Sequence, residues 1–187
     1  RLNIDYVIIN KENITEKIKF EQADIGIRFD NDGDSFTIYD ELGNNVLIED
    51  YAIIILRNII DKVENKKFLY DAKCSDIFKD EVIRLGGTPV ICRTGTSYTQ
   101  EKILKENIPF GIQYVGHISL NDRLFSTESA MYSSLRLIEV LSRTDKSLSE
   151  LVNTIPVYYN TPEIKFASSD NNKYEVITNI KKYCTNK

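Results

Sequence analysis

The sequence predicts an α/β fold, a mostly parallel four-stranded sheet with flanking helices. Three observations predict it. From residue 49 onward, short apolar runs alternate with helix-length segments in the order α-β-α-β-α-β. Strands separated by about a dozen helical residues imply crossover connections, and crossovers join parallel neighbours. The chain has 187 residues, 42% of them hydrophobic and 28% charged, which is globular composition with enough length to bury a core.

Each element follows from local pattern. Ile4 to Ile9 is an apolar run of strand length. Asn13 to Phe20 has helical spacing, with Ile14 and Ile18 four apart. Asp24 to Phe29 alternates as a strand, and a polar loop follows from Asp30 to Ser35. Phe36 to Tyr39 is a further strand, closed by a turn at Gly43-Asn44. Glu49 to Val63 is a helix with Ile on more than one face, so it is expected to be well buried.

Phe68 to Asp71 is a strand, and Ser75 caps a helix that ends before Gly86-Gly87. Thr88 to Cys92 is a strand, followed by a helix from Thr96 or Ser97 to Asn107. Phe110 to Val115 is a strand running into Gly116-His117. A long helix is expected from Ser126 to Arg143, and a short one capped by Ser147 through Val152. Val157 to Phe166 is extended around Thr161-Pro162, and a last helix spans about Asn172 to Tyr183.

Composition removes several function classes. The net charge is −4 and the isoelectric point 5.2, against a nucleic-acid footprint. No basic run suggests a membrane surface, and the apolar cluster Ala52 to Leu56 is too short to span a bilayer. No signal peptide is apparent at the start. Cys74, Cys92 and Cys184 are widely spaced, without C-x-x-C, and His117 is the one histidine. Neither a disulfide framework nor a Cys/His zinc site is expected; dispersed thiols suit a cytoplasmic location.

In sheets of this kind, sites lie at the carboxyl ends of strands. That rule selects Asp71 to Ser75, Arg93 to Ser97 and Gln113 to His117, which are expected to converge on one rim. The most informative segment is Asp30-Asn31-Asp32-Gly33-Asp34-Ser35. Carboxylates at i, i+2 and i+4 around a glycine can fold about one hard cation, which prefers oxygen ligands. The plainer alternative is an acidic turn in water.

Among metal-loop readings, an EF-hand would use Asp30, Asp32 and Asp34 with Glu41 at the twelfth position. Its sixth position is Ser35 rather than glycine, and its flanks alternate with period two. A phosphatase of the haloacid-dehalogenase type would match Ile27 to Gly33. That type needs Thr where Asp34 stands, and a later acidic pair to complete its magnesium site.

A third reading fits more of the chain. Ala23 to Ser35 resembles the metal loop A-D-x-G-x-A-F-D-G-D-G-D-R of the α-D-phosphohexomutases, the phosphomannomutase and phosphoglucomutase superfamily. The likeness continues in order. Asp71-Ala72-Lys73-Cys74-Ser75 is similar to D-V-K-C-S, and Gly86 to Val90 to G-G-x-P-V. Arg93-Thr94-Gly95-Thr96-Ser97 is similar to R-T-G-H-S, and Gly111 to His117 stands where that superfamily has G-G-E-x-S-G-H. Thr161-Pro162-Glu163-Ile164 matches its T-P-E-I hinge.

The resemblance implies partial neighbouring domains around the sheet. Residues 1–44 would be the end of a second domain with the metal loop, 45–156 a whole third domain, and 157–187 the hinge and start of a fourth. It implies magnesium as cofactor, held by Asp30, Asp32 and Asp34, and a hexose phosphate as substrate. Lys73 and His117 occupy the catalytic positions that face the transferring phosphate and the sugar. Gly95, Thr96, Gln113 and Gly116 occupy substrate-binding positions.

The sequence departs from the pattern at Ser35 (arginine), Thr96 (histidine), Gln113 (glutamate) and Val115 (serine). The phosphoserine motif T-A-S-H-N-P occurs nowhere in it. The expectation is a phosphohexomutase-like protein that lacks its phosphoryl carrier and is inactive alone. A second chain with the phosphoserine domain would be its partner. The alternatives are a magnesium or phosphosugar-binding module without turnover, and a degraded gene product.

Overall fold

A computed structural model of the chain describes residues 4–9, 13–123, 127–159 and 164–185. Two sheets are present among them. The first is antiparallel, in the order β1(Ile25–Phe29), β2(Phe36–Asp40), β3(Asn45–Val46). The second has the order β5-β4-β6-β7-β8, formed from β4(Lys67–Asp71), β5(Thr88–Cys92), β6(Phe110–Ile112), β7(Ile118–Leu120) and β8(Thr127–Glu128). Strand β4 pairs in parallel with both β5 and β6, and β6 turns back antiparallel into β7. The four longer strands are therefore mostly parallel, and two-residue β8 extends their edge.

Alternation along the strands divides the core into two layers. Phe68, Tyr70, Phe110 and Ile112 face one way, towards α2(Ile48–Ile59), α3(Asp76–Arg84) and α5(Ala130–Leu141). Leu69 and Cys92 face the other way and pack with Ile103 of α4(Thr96–Glu106) and with Ile108. Helices thus cover both faces, which is why the strands read as continuous apolar runs. Helix α2 is buried on most of its sides, with Tyr51, Ile53, Ile55 and Leu56 fully enclosed.

The small sheet packs on that same helix. The ring of Phe36 meets the ring of Tyr51 edge-on at 5.3 Å, and the Tyr51 hydroxyl donates to the Ser133 carbonyl at 3.0 Å. Helix α1(Ile14–Glu21) lies against β1, where Ile18 fills the space above Gly26. Ser75 caps α3 and Ser129 caps α5 by accepting backbone N–H bonds. Ser147 forms a reciprocal capping box with Glu150 in α6(Leu148–Val152).

Several elements differ from expectation. Ile4 to Ile9 is not a strand; among the described residues no ladder partner lies beside it, and Tyr6 and Ile8 are largely exposed. Helix α2 stops at Ile59 because a turn closes there, Lys62 N–H donating to the Ile59 carbonyl at 2.8 Å. The strand expected from Phe110 to Val115 ends at Ile112, and the chain reverses through a tight turn into β7. Ser126 lies outside the described residues, and α5 begins at Ala130 after the unexpected strand β8. Thr161, Pro162 and Glu163 also lie outside them. Helix α7(Lys173–Thr185) has no buried residue.

Candidate functional site

The site forms where the hairpin loop of the small sheet meets the carboxyl ends of the larger sheet. Asp30 N–H donates to the Ser35 carbonyl at 3.2 Å and closes the β1–β2 loop. Asp30 Oδ1 then accepts from the N–H groups of Gly33, at 3.0 Å, and Ser35, at 3.3 Å, while the Ser35 hydroxyl donates to Oδ2. Those bonds, the Ser35 hydroxyl foremost, hold the Asp30 carboxyl down at about 2.

Asp30, Asp32 and Asp34 each bring a carboxylate oxygen within 4.8 Å of the others. Partial burial raises the carboxyl of Asp34 above its ordinary value; His117 opposes the rise, and the Asp32 and Asp30 charges add to it. Three anionic oxygens at this spacing suit a hard cation such as magnesium, whose charge relieves their repulsion. The loop joins two antiparallel strands, and Glu41 is engaged elsewhere by the Ser149 N–H and hydroxyl, so an EF-hand is ruled out.

On the larger sheet, the loops after β4, β5 and β6 are tied together in sequence. Buried Asp71 accepts from the Thr94 hydroxyl at 3.0 Å and from the Lys73 N–H at 3.1 Å. Gly95 N–H donates to Gln113 Oε1 at 3.3 Å. Thr96 Oγ1 lies 3.3 Å from His117 Nδ1. The predicted rim segments therefore do meet, and Lys73 sits exposed on the first of them. Arg93 stacks over the Tyr98 ring at 4.3 Å on the second.

The β6–β7 turn presents His117. Gly116 N–H donates to the Gln113 carbonyl at 3.0 Å, and Gly116 has φ of +101°, a conformation that glycine adopts without cost. A Cβ there would also stand 3.3 Å from the Phe36 carbonyl oxygen. This close approach lets Ser35 and His117 form a β-bridge between the two sheets. His117 Nε2 lies 3.5 Å from Asp34 Oδ1. The Gly33 carbonyl accepts from the Ala130 N–H at 3.2 Å, docking the acidic loop on the start of α5.

The sequence motifs contain no sign of the group at the centre of this cluster, Glu128. Its carboxylate accepts from Gln113 Nε2 at 2.8 Å and from the Thr96 hydroxyl at 2.8 Å, and stands 3.1 Å from His117 Nδ1. Its side chain is 4% exposed. An acidic residue just ahead of the Ser129 cap reads in sequence as an ordinary helix-start charge, and only the fold turns it inward. Gln113 is itself buried, and both ends of its amide are used by Gly95 and Glu128. Val115 is half exposed and contributes no polar side-chain atom.

The thiols take no part. All three cysteines are free, and burial pushes the Cys74 thiol far up, with Asp71 adding to the effect. Among the described residues no helix is long and apolar enough to cross a membrane.

Residues 49–159 match the family model for the α/β/α domain III of phosphoglucomutase and phosphomannomutase. The chain is 28% identical over 173 residues to a phosphomannomutase/phosphoglucomutase of Pseudomonas syringae, covering 92% of this chain and 37% of that protein. It is 31% identical to a phosphoglucosamine mutase of Aliivibrio salmonicida, covering 83% and 35%. A solved phosphoglucomutase/phosphomannomutase family structure from Burkholderia thailandensis superposes with a TM-score of 0.76 at 26% identity, over 81% of this chain and 33% of that one. The chain thus spans little more than a third of the length of these relatives. Match and superposition together cover the larger sheet and its helices, and the chain belongs to the phosphoglucomutase/phosphomannomutase family.

Proposed function

We propose that this chain supplies the metal loop and the sugar loop of a phosphohexose mutase. Its phosphoryl-carrying serine would come from a phosphoserine domain outside these 187 residues. Residues 1–44 correspond to the end of a second domain, 45–156 to a third, and 157–187 to a hinge and the start of a fourth. The observation that supports the reading is the 3.5 Å approach of Asp34 to His117, between the acidic hairpin loop and the β6–β7 turn.

Asp30, Asp32 and Asp34 hold magnesium, which when bound offsets negative charge on a transferring phosphoryl group. Lys73 brings a positive charge to the rim that receives the phosphate. His117, steadied at Nδ1, exchanges a proton with a hexose hydroxyl at Nε2. Gly95, Thr96 and Gly116 shape the pocket for the remaining hydroxyls. Gln113 lacks the charge expected at its position, and Glu128 returns a carboxylate to within 2.8 Å of it.

A second reading is favoured by the engagement of Gln113 and by the apolar Val115 at the rim. In it the site binds magnesium and a phosphosugar without turnover. Calorimetric titration with magnesium and then mannose 1-phosphate, with Asp32→Asn as control, tests the binding common to both. The two are separated by mixing the chain with a separately produced phosphoserine domain and following conversion to mannose 6-phosphate. Conversion supports the mutase, and saturable binding without conversion supports the module. No heat from either ligand removes both.

A further inference from the structure

We propose that Gln113 is a positioning residue that does not read the ligand. With Glu128 it forms a buried interlock that ties three loops of the rim into one wall. Only the ligand arm of its test rests on the proposed function. Gln113 is engaged through backbone and side chain alike. Its N–H donates to the His117 carbonyl at 2.9 Å, and its carbonyl accepts from the Gly116 N–H at 3.0 Å, which closes the β6–β7 turn. Its Oε1 accepts from the Gly95 N–H at 3.3 Å, and its Nε2 donates to Glu128 Oε1 at 2.8 Å. The residue is 2% exposed, which leaves almost nothing of it open to a sugar hydroxyl.

The two partners of the side chain demand an amide. Gly95 presents a donor and Glu128 an acceptor, and a primary amide carries one group for each. An ionised glutamate has no donor. At this position it would set a second carboxylate oxygen against Glu128 across the same 2.8 Å contact, in a buried place where like charges repel strongly. Glu128 is not free to turn away. Its other oxygen accepts from the Thr96 hydroxyl at 2.8 Å, and its side chain is 4% exposed. Glutamine at the position where the superfamily pattern has glutamate thus serves loop support in this chain, and acts on Thr96 and His117 through Glu128.

The test is a double-mutant cycle in the full chain at neutral pH, read by urea unfolding. Gln113→Glu is expected to raise the unfolding equilibrium constant about tenfold or more. Adding Glu128→Gln exchanges donor and acceptor across the same contact and should bring the constant back to within roughly threefold of the wild type. Additive effects of the two substitutions overturn the proposal. If Gln113→Glu does not fold, the wild type decides by the NMR signals of its side-chain amides. Those of Gln113 should exchange at least about tenfold more slowly than those of exposed Gln22. They should also stay in place when magnesium and mannose 1-phosphate shift the Gly116 backbone amide. Gln113 protons that exchange as fast as those of Gln22, or that shift with the sugar more than Gly116 does, overturn it. If mannose 1-phosphate does not bind, the mutase reading fails, and the cycle and the exchange rates still decide this one.

Discussion

Glu128 Oε2 stands 3.1 Å from Nδ1 of His117, and the carboxylate is almost completely enclosed. One buried acid therefore orients the imidazole and receives Gln113 and Thr96 as well. A buried charge of this kind is retained only where its hydrogen bonds are made. Removing it leaves the Gln113 amide and the Thr96 hydroxyl without their acceptor.

Glu128→Ala is expected to destabilise the chain by about 1–3 kcal/mol, the cost of leaving buried polar partners unsatisfied. Urea unfolding measures it. The loss should fall mainly on the site, so amide signals of Gly95, Gln113 and His117 should move more than those of β4 or α3.

Magnesium binding should depend on pH through the acidic loop. Asp34 has a raised carboxyl and Asp30 a lowered one, so on acidification Asp34 takes its proton first. A protonated ligand loses the cation. Affinity is therefore expected to fall as pH enters the carboxylate range, and Asp34→Asn should remove the early part of that fall. Calorimetry at a series of pH values is the measurement. An affinity independent of pH down to Asp30's own range would contradict it.

Asp50 should oppose folding at neutral pH. It lies in the first turn of α2, where burial, helped by the neighbouring Glu49, pushes its carboxyl from 3.8 up to about 6. Its folded value is above its unfolded value. Its favourable contribution is thus complete below the unfolded value and is lost as pH rises through about 6. Asp50→Asn is expected to add about 1–2 kcal/mol at neutral pH, discounted for partial exposure of the carboxyl. Near pH ~4 the gain should disappear. Urea midpoints at both pH values check the sign.

Gly116→Ala should separate the two sheets locally. Its φ of +101° strains any side chain, and the new Cβ would press on the Phe36 carbonyl. The expected cost is about 1–3 kcal/mol. Because the β-bridge from Ser35 to His117 depends on this approach, hydrogen exchange at Ser35 and Phe36 should quicken while that of Phe68 stays slow. Equal quickening at both places would mean the change acts globally.

The larger sheet was legible in the sequence because its inner strands β4 and β6 are buried on both faces. Phe68 to Tyr70 is a continuous apolar run, Pro89 to Cys92 is another at the sheet edge, and Ser75 and Ser147 announce their helices by capping chemistry. Strands β3, β7 and β8 escaped because they are two or three residues long and show too little of any period. The run Ile4 to Ile9 misled for the opposite reason: its pattern is strand-like, but a strand exists only where an edge receives it.

The same division holds for the site. Sequence alone placed Asp30, Asp32 and Asp34 on one short loop, and their carboxylate oxygens do lie within 4.8 Å of one another. It also determined the family, through ordered motifs that are local in the chain. Only the tertiary structure decided that Asp34 faces His117, 83 residues further along the chain, and that Glu128 stands behind the ring. Those contacts depend on the close approach at Gly116 and on the docking of Gly33 against Ala130. Spacing along a chain carries no information about them, because packing between separate sheets sets the distance.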